Sequence, residues 1–262
     1  MRRLLLVGGG RMGAALLGGL IDGGWASASD LAVVEPVEAR RRALAEEYDG
    51  VQVSADVVEA DGAVIAVKPN DVEAACRAVS GRVGRVLSIA AGVTLTKLES
   101  WLPSGTPVVR AMPNTPALVG AGAAAIAAGT AAGGDDLTWA EGILGAVGTV
   151  VRVPEDLLDA VTGLSGSGPA YVFLVAEALI DGGIEAGLPR EISERLARQT
   201  LLGAARLLAE SGETPEELRA HVTSPGGTTE AGLRVLDERD LRAAFSAAVA
   251  AATERSRQLG SQ

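Results

Sequence analysis

LLLVGGGRMGAALLGGL, residues 4–20, holds the decision about the fold. Four apolar residues ending on a β-branched valine suit a strand buried on both faces, and the AALLGGL after Gly13 suits a helix. Between them Gly8, Gly10 and Gly13 stand in G-x-G-x-x-G order. Glycines so placed make a tight turn, let backbone come close to a pyrophosphate and let the helix pack near the strand, with the phosphates at the helix N-terminus. Gly8, Gly10, Arg11, Met12 and Gly13 are therefore candidate dinucleotide contacts. The bland alternative is a strand-to-helix turn that binds nothing, in a chain with 34 glycines. Against it stands Glu35, an acid at the end of the next apolar run, where a dinucleotide fold puts the residue that binds the adenosine ribose hydroxyls. A carboxylate there favours NADH and repels the 2′-phosphate of NADPH. Arg40 and Arg41 are close enough in sequence to blur that preference, and their plain role is a solvated helix face.

Outward from this unit, Leu31–Val34, Ala63–Val67, Val86–Ala90 and Val108–Ala111 are further brief apolar runs bounded by turn residues. Interleaved with helix-like segments, they predict a parallel sheet, and Ala121–Ala128 and Gly148–Val153 predict strands closing one edge. The fold class is α/β, with an N-terminal Rossmann-type parallel sheet domain over residues 1–153. Ligands in such sheets bind beyond the carboxyl ends of the strands. Ala66, Lys68 and Pro69 stand at one such end, where the proline forces Lys68 to be extended. Asn114, in the double-proline turn MPNTP, stands at another. The plain role of each is to stop a strand.

After Pro154 the pattern becomes helical, which predicts an all-helical domain over residues 154–262. Pro169–Ala186 and Pro189–Ser211 each open on proline and stop before glycine. Thr214-Pro215-Glu216-Glu217 is a capping box opening a short helix to about Val222. A last helical stretch is expected from Thr228 through Arg257. YVFLVAEALI and AAFSAAVAAA are apolar over more than one stripe, so these helices must be buried on several sides. That predicts an intertwined homodimer through the C-terminal half.

Between the last two helical segments lies HVTSPGGTTEAGL, residues 221–233, with three threonines, a serine, a proline and two adjacent glycines, and Glu230 as its reliable charge. Its second half is a helix N-terminus, where the N–H groups of Gly227, Thr228 and Thr229 and the helix dipole offer a seat for a carboxylate. Gly226 and Gly227 let a ligand come near backbone, Ser224 adds a hydroxyl donor, and Thr229 leaves a hydroxyl for a second polar atom. Ordinary capping explains one such hydroxyl, not the cluster.

Composition narrows the partners. A net charge of −10 and the lack of any basic block argue against a nucleic-acid surface. One cysteine, Cys76, and one histidine, His221, exclude an internal disulfide, a zinc cluster and a two-histidine metal motif, so no metal site is expected. The apolar run after Arg3 stops at Gly8, too short for a signal core, and no apolar run reaches the ~20 residues of a membrane span. A cytoplasmic protein acting on a small molecule, with no membrane or nucleic-acid partner, is the expectation.

GGGRMG, AVKP, RAMPNTPALVGAG, LSGSGPAY at 164–171 and, most specifically, VTSPGGTT at 222–229 together resemble the 1-pyrroline-5-carboxylate reductase family along essentially the whole chain. The resemblance implies a Rossmann domain followed by a helical dimerisation domain. It implies reduction of a cyclic imino acid, 1-pyrroline-5-carboxylate, to L-proline by hydride transfer from NAD(P)H, the last step of proline biosynthesis. It further implies that Ser224, Gly226, Gly227 and Thr228 hold the substrate carboxylate and that Thr229, the catalytic residue, hydrogen-bonds the ring nitrogen. Ala66, Lys68 and Pro69 would line the nicotinamide ribose, with Asn114 in the nearby wall. A homodimer is implied, with assembly into higher rings open. Gly13 stands where many members carry alanine, and Glu35 where many carry a residue friendlier to the 2′-phosphate; with Glu35 present the lean is towards NADH.

Four other readings compete. A β-hydroxyacid dehydrogenase shares the plan but resembles its relatives in using a lysine in the helical half, and no lysine follows Lys97 here. A serine hydrolase built on Ser165 or Ser167 with His221 lacks the strand-turn-helix elbow. A non-catalytic dinucleotide sensor, or a reductase of another imine, would keep the glycine turn; the sensor would be expected to lose the hydroxyls at 224–229.

Overall fold

A computed structural model of the protein describes residues 1–260. The apolar runs fold as strands: β1 (Leu4–Val7), β2 (Leu31–Val34), β4 (Ala63–Ile65), β5 (Val86–Ser88), β6 (Val108–Met112), β7 (Gly122–Ala128) and β8 (Gly148–Arg152), with β3 (Gln52–Ser54) added after β2. β1, β2, β4 and β5 are buried at every position, as strands covered on both faces must be. β3 carries no such apolar run, and all three of its residues are half-buried at the sheet edge.

The sheet order is β3-β2-β1-β4-β5-β6-β7-β8, parallel from β3 to β6; β7 then runs antiparallel to β6 and β8 parallel to β7. The first six strands follow the doubly wound order, whose switch point lies between β1 and β4. Between the strands run α1 (Arg11–Asp22), α2 (Glu38–Glu47), α3 (Val72–Val79), α4 (Leu95–Ser100) and α5 (Gly134–Gly145). Leu16, Leu17 and Leu20 of α1 bury completely against one sheet face, and Cys76 of α3 against the other. Burial pushes the Cys76 thiol up to about 11, which leaves it an inert core residue.

The chain continues through α6 (Leu158–Val161), α7 (Gly168–Glu185), α8 (Arg190–Glu210), α9 (Pro215–His221), α10 (Thr228–Glu238) and α11 (Leu241–Gly260). The single helix expected from Thr228 to Arg257 is two: Asp240 takes a positive φ of 54°, which ends α10 with no glycine or proline to announce it. Aspartate tolerates this left-handed turn better than most residues.

The compact units also divide elsewhere than the change of pattern at Pro154. One unit holds residues 1–167 together with 250–260, and the other is Gly168–Val249. Residues 154–167 stay with the sheet because the Glu155 carboxylate accepts from Arg110 Nη1 and from the Leu95 N–H, each at 2.7 Å, and because Leu158 is buried. The Ser256 hydroxyl donates to Asp159 Oδ1 at 2.6 Å, and Lys97 Nζ donates to the Gly260 carbonyl at 3.3 Å. Those bonds bring the end of α11 into the first unit.

In the second unit α7 and α8 form a hairpin through Gly187, whose φ of 101° suits glycine. The helices touch where Gly183 leaves room for Ser193, whose hydroxyl donates to the Ile180 carbonyl at 2.7 Å. α7 buries none of its residues and α8 only Ser193 and Ala197. Phe173, Leu174, Leu196 and Leu207 are each more than half exposed. An apolar groove of about 300 Å³ runs between Tyr171, Leu174 and Val175 on one side and Leu241 and Phe245 on the other.

Candidate active site

The glycine turn is held from four directions. Gly8, at φ 108°, donates its N–H to the Val34 carbonyl at 2.8 Å, and the Ala66 N–H donates to the Val7 carbonyl at 2.8 Å, which ties the turn to β2 and β4 across the switch point. Gly9 donates its N–H to Glu35 Oε2 at 2.9 Å, and its carbonyl accepts from Arg40 Nε at 2.6 Å. Gly8, Gly9 and Gly13 lack a side chain because the protein fills that space: a Cβ would lie 2.7 Å from the Ala66 carbonyl oxygen, 2.4 Å from Leu44 and 2.1 Å from the Gly8 carbonyl oxygen respectively.

Gly10 differs from its neighbours. Its φ of −67° needs no glycine, and a Cβ built there meets nothing within 4 Å. Gly10 is also the N-cap of α1, and no side chain caps the first turn formed by Arg11, Met12 and Gly13. Open space over uncapped N–H groups is what a pyrophosphate requires, so the residues present fit a dinucleotide. Arg11 is exposed and Met12 half-buried against the core.

Glu35 sits where a ribose acceptor belongs, but it also has structural work. It is 8% exposed; Oε2 accepts from Gly9, Oε1 from the Val37 N–H at 3.0 Å, and Arg41 Nη1 donates to the Glu35 and Pro36 carbonyls. The carboxylate is thus pinned in place, with lone pairs left for a ribose. This structural role was not visible in sequence, since it depends on how β2 lies beside the glycine turn.

Lys68, at φ −63° and ψ 153°, is extended ahead of Pro69, and both are exposed beyond the end of β4. Asn114, by contrast, is buried, and its amide is engaged at both ends: Oδ1 accepts from the Ala123 N–H at 2.8 Å and Nδ2 donates to the Ser165 carbonyl at 3.0 Å. It therefore ties β6, β7 and the π-helical turn Thr162–Gly166 together. Asn114→Ala is expected to lower stability by about 2 kcal/mol, because two half-buried backbone groups lose their partner. A chemical denaturation midpoint unchanged from wild type would contradict this. In the same turn the Ser165 hydroxyl donates to the Val161 carbonyl at 3.1 Å, so it is a back-bonded helix residue and not a nucleophile on an elbow.

In the second unit Ser224, Pro225, Gly226, Thr228 and Thr229 are exposed and Gly227 is half-buried. Gly226 takes φ 72°, and the Gly227 N–H donates to the Ser224 carbonyl at 2.9 Å, closing a turn with Pro225 and Gly226 at its centre. One sequence expectation is corrected here: the Gly227 N–H is not an open donor, because the turn uses it. Gly227 is the N-cap of α10, without a side-chain cap, and among the described residues the N–H groups of Thr228 and Thr229 and the hydroxyls of Ser224, Thr228 and Thr229 meet no partner. Sequence reasoning also passed over what Glu230 does. Its Oε2 accepts from the Gly226 N–H at 2.7 Å, and the signal for this was an acid at the third position of a helix. His221 ends α9, exposed, with Nδ1 3.5 Å from Glu213 Oε1.

Comparison with known proteins covers the same ground. Residues 155–259 match the family model described as pyrroline-5-carboxylate reductase dimerisation, and residues 3–92 match one described as NADP oxidoreductase, coenzyme F420-dependent. A pyrroline-5-carboxylate reductase of Synechocystis is 47% identical over 98% of this chain and 98% of its own. The solved structure of a pyrroline-5-carboxylate reductase from Coxiella burnetii superposes with a TM-score of 0.93 at 38% identity, covering 98% of each chain. A Plasmodium falciparum pyrroline carboxylate reductase with NADP bound superposes at 0.84, with 29% identity over 99% of this chain and 98% of that one.

Proposed function

The chain belongs to the pyrroline-5-carboxylate reductase family, and on that premise we propose that it reduces 1-pyrroline-5-carboxylate to L-proline with hydride from NAD(P)H, the last step of proline biosynthesis. The observation that carries this reading is the 47% identity that spans 98% of both chains. The division of labour is that residues 1–153 bind dinucleotide while residues 154–262 dimerise and bind substrate, although the compact units divide elsewhere.

In this reading the bound nicotinamide supplies the hydride. The chain's own part is to bind, orient and exclude water. The N–H groups at the start of α1 take the pyrophosphate, Glu35 takes the adenosine ribose, and Ala66, Lys68 and Pro69 border the nicotinamide ribose. Ser224, Gly226, Gly227 and Thr228 hold the substrate carboxylate, with the open Thr228 and Thr229 N–H groups at the positive end of the helix dipole. Gly226 and Gly227 contribute closeness of backbone. The Thr229 hydroxyl directs itself to the ring nitrogen. A cyclic imine that arrives protonated already carries its activating proton, so no strong general acid is needed. Asn114 acts from behind, as a strut of the wall.

Among reduced cofactors the reading leans to NADH. Two backbone N–H groups hold the Glu35 carboxylate still, so it cannot swing away from a 2′-phosphate. Glu35→Gln keeps an acceptor and removes the charge, and the ratio of kcat/KM with NADPH to that with NADH is expected to rise about tenfold. An unchanged ratio would assign selection to Arg40 and Arg41 instead.

The exposed Phe173, Leu174, Leu196 and Leu207 need a cover, and α7 and α8 lie within the region matched as dimerisation. The cover we read is a second copy of the chain, in an intertwined homodimer that can build higher rings. An 18-residue window within the helical run Glu155–Glu185, with a mean hydropathy of 1.3, would also span a membrane by length and composition alone; burial between two copies accounts for the same apolar surface. Work in the cytoplasm suits an enzyme that draws on the reduced nicotinamide pool. The direct test is initial-rate loss of reduced nicotinamide with 1-pyrroline-5-carboxylate, NADH and NADPH in parallel, on protein whose mass is measured by light scattering. Folded dimer with no turnover on either cofactor would overturn the reading and favour another imine or a dinucleotide sensor.

A further inference from the structure

We propose that Glu230 is a positioning residue of the substrate-carboxylate site, bracing the turn that presents the donors while its own charge limits how tightly an anion is held. The proposal rests on the reading of Ser224–Thr229 as that site.

Ser224, Pro225 and Gly226 are exposed, and a Cβ at Gly226 would meet nothing within 4 Å, so packing does little to hold them. Gly226 is also in the left-handed region, where glycine has the most conformational freedom to lose. Two side chains tether the segment. Thr223 donates its hydroxyl to the Arg219 carbonyl at 2.6 Å at the near end, and Glu230 Oε2 accepts the Gly226 N–H at 2.7 Å at the far end. Glu230 reaches back from the first turn of α10 over the very residues whose N–H groups stay open, Thr228 and Thr229. With Gly226 engaged, the helix start is left to receive the ligand.

The same carboxylate is favoured by the helix dipole, yet it repels a second carboxylate brought to the same helix end. Bracing and repulsion therefore act on substrate affinity in opposite senses. They can be separated, because a glutamine amide oxygen accepts the Gly226 N–H without carrying charge.

The experiment is steady-state kinetics at saturating NADH on Glu230→Gln, Glu230→Ala and Thr229→Ala, with melting temperature and NADH affinity as controls for folding. Glu230→Gln is expected to lower KM for 1-pyrroline-5-carboxylate about threefold at unchanged kcat, and Glu230→Ala to raise it about tenfold at similar kcat. Rescue by glutamine with a shift in KM alone is a pattern that a merely structural residue would not give. The proposal is overturned if the two Glu230 variants shift KM alike, or if neither shifts it while Thr229→Ala loses activity. Thr229→Ala with wild-type kinetics would overturn the site reading itself, and this proposal with it.

Discussion

Thr229→Ala is expected to lower kcat with 1-pyrroline-5-carboxylate about a hundredfold while KM and melting temperature stay close to wild type. The fold does not need the side chain: it is exposed, its hydroxyl meets no partner among the described residues, and the first turn of α10 is built by Gly227 and Glu230. Affinity should persist because Ser224 and the Thr228 N–H remain to hold the carboxylate. What goes, on the proposed function, is the contact that fixes the ring nitrogen, and with it the imine carbon, relative to the hydride donor. A misplacement of about 1 Å at a reacting centre costs rate on this scale. Thr229→Ser, which keeps a hydroxyl, should recover most of the loss. A Thr229→Ala enzyme with kcat near wild type would remove Thr229 from the chemistry.

The second large effect belongs to the glycine turn. Gly8→Ala would place a methyl group at φ 108°, 2.7 Å from the Ala66 carbonyl oxygen and 2.9 Å from its carbon. Those atoms are backbone at the end of β4 and cannot turn aside. Strained φ and overlap together are expected to remove about 3 kcal/mol of stability, a fall in melting temperature of roughly 6–12 °C for a chain of this size. Gly10→Ala is the instructive partner, since its Cβ points into open space and the fold should not notice it. NADH affinity should nonetheless drop at least tenfold, because the methyl group would occupy the approach proposed for the pyrophosphate. If Gly10→Ala bound NADH as wild type does, by fluorescence titration, the dinucleotide would not lie over the start of α1.

These two glycines also mark how far the sequence could be read. β1, β2 and β4 were legible because strands buried on both faces are continuously apolar, β5 and β6 because only Ser88 and Arg110 break their apolar runs, and the turn after β1 announced itself by glycine spacing. β3 was not, because an edge strand of three half-buried residues needs no apolar run. The break at Asp240 was hidden because its left-handed conformation falls on a residue that is no glycine. At the site, sequence put Glu35 and Asn114 just beyond strand ends but could not show that their polar atoms already bond to Gly9, Val37, Ala123 and Ser165. Such partners lie far off in sequence or across a turn, and only the packed sheet brings them together. The Gly227 N–H was misjudged for a related reason: Pro225 and Gly226 form a closed turn, and the turn takes the donor.

The first unit, finally, is interrupted by the second and then resumed. Lys97 waits for Gly260 and Asp159 for Ser256, partners 163 and 97 residues apart, while Gly168–Val249 is made in between. During synthesis the sheet can therefore gather its strands early, but it lacks its last supports until residue 260 has left the ribosome. At about 5–20 residues per second that is a delay of several seconds, spent with Asp159 lacking its Ser256 partner and the exposed apolar side chains of α7 and α8 emerging. A nascent chain in that interval is the form in which this protein is most open to aggregation, and the one a chaperone would be expected to meet.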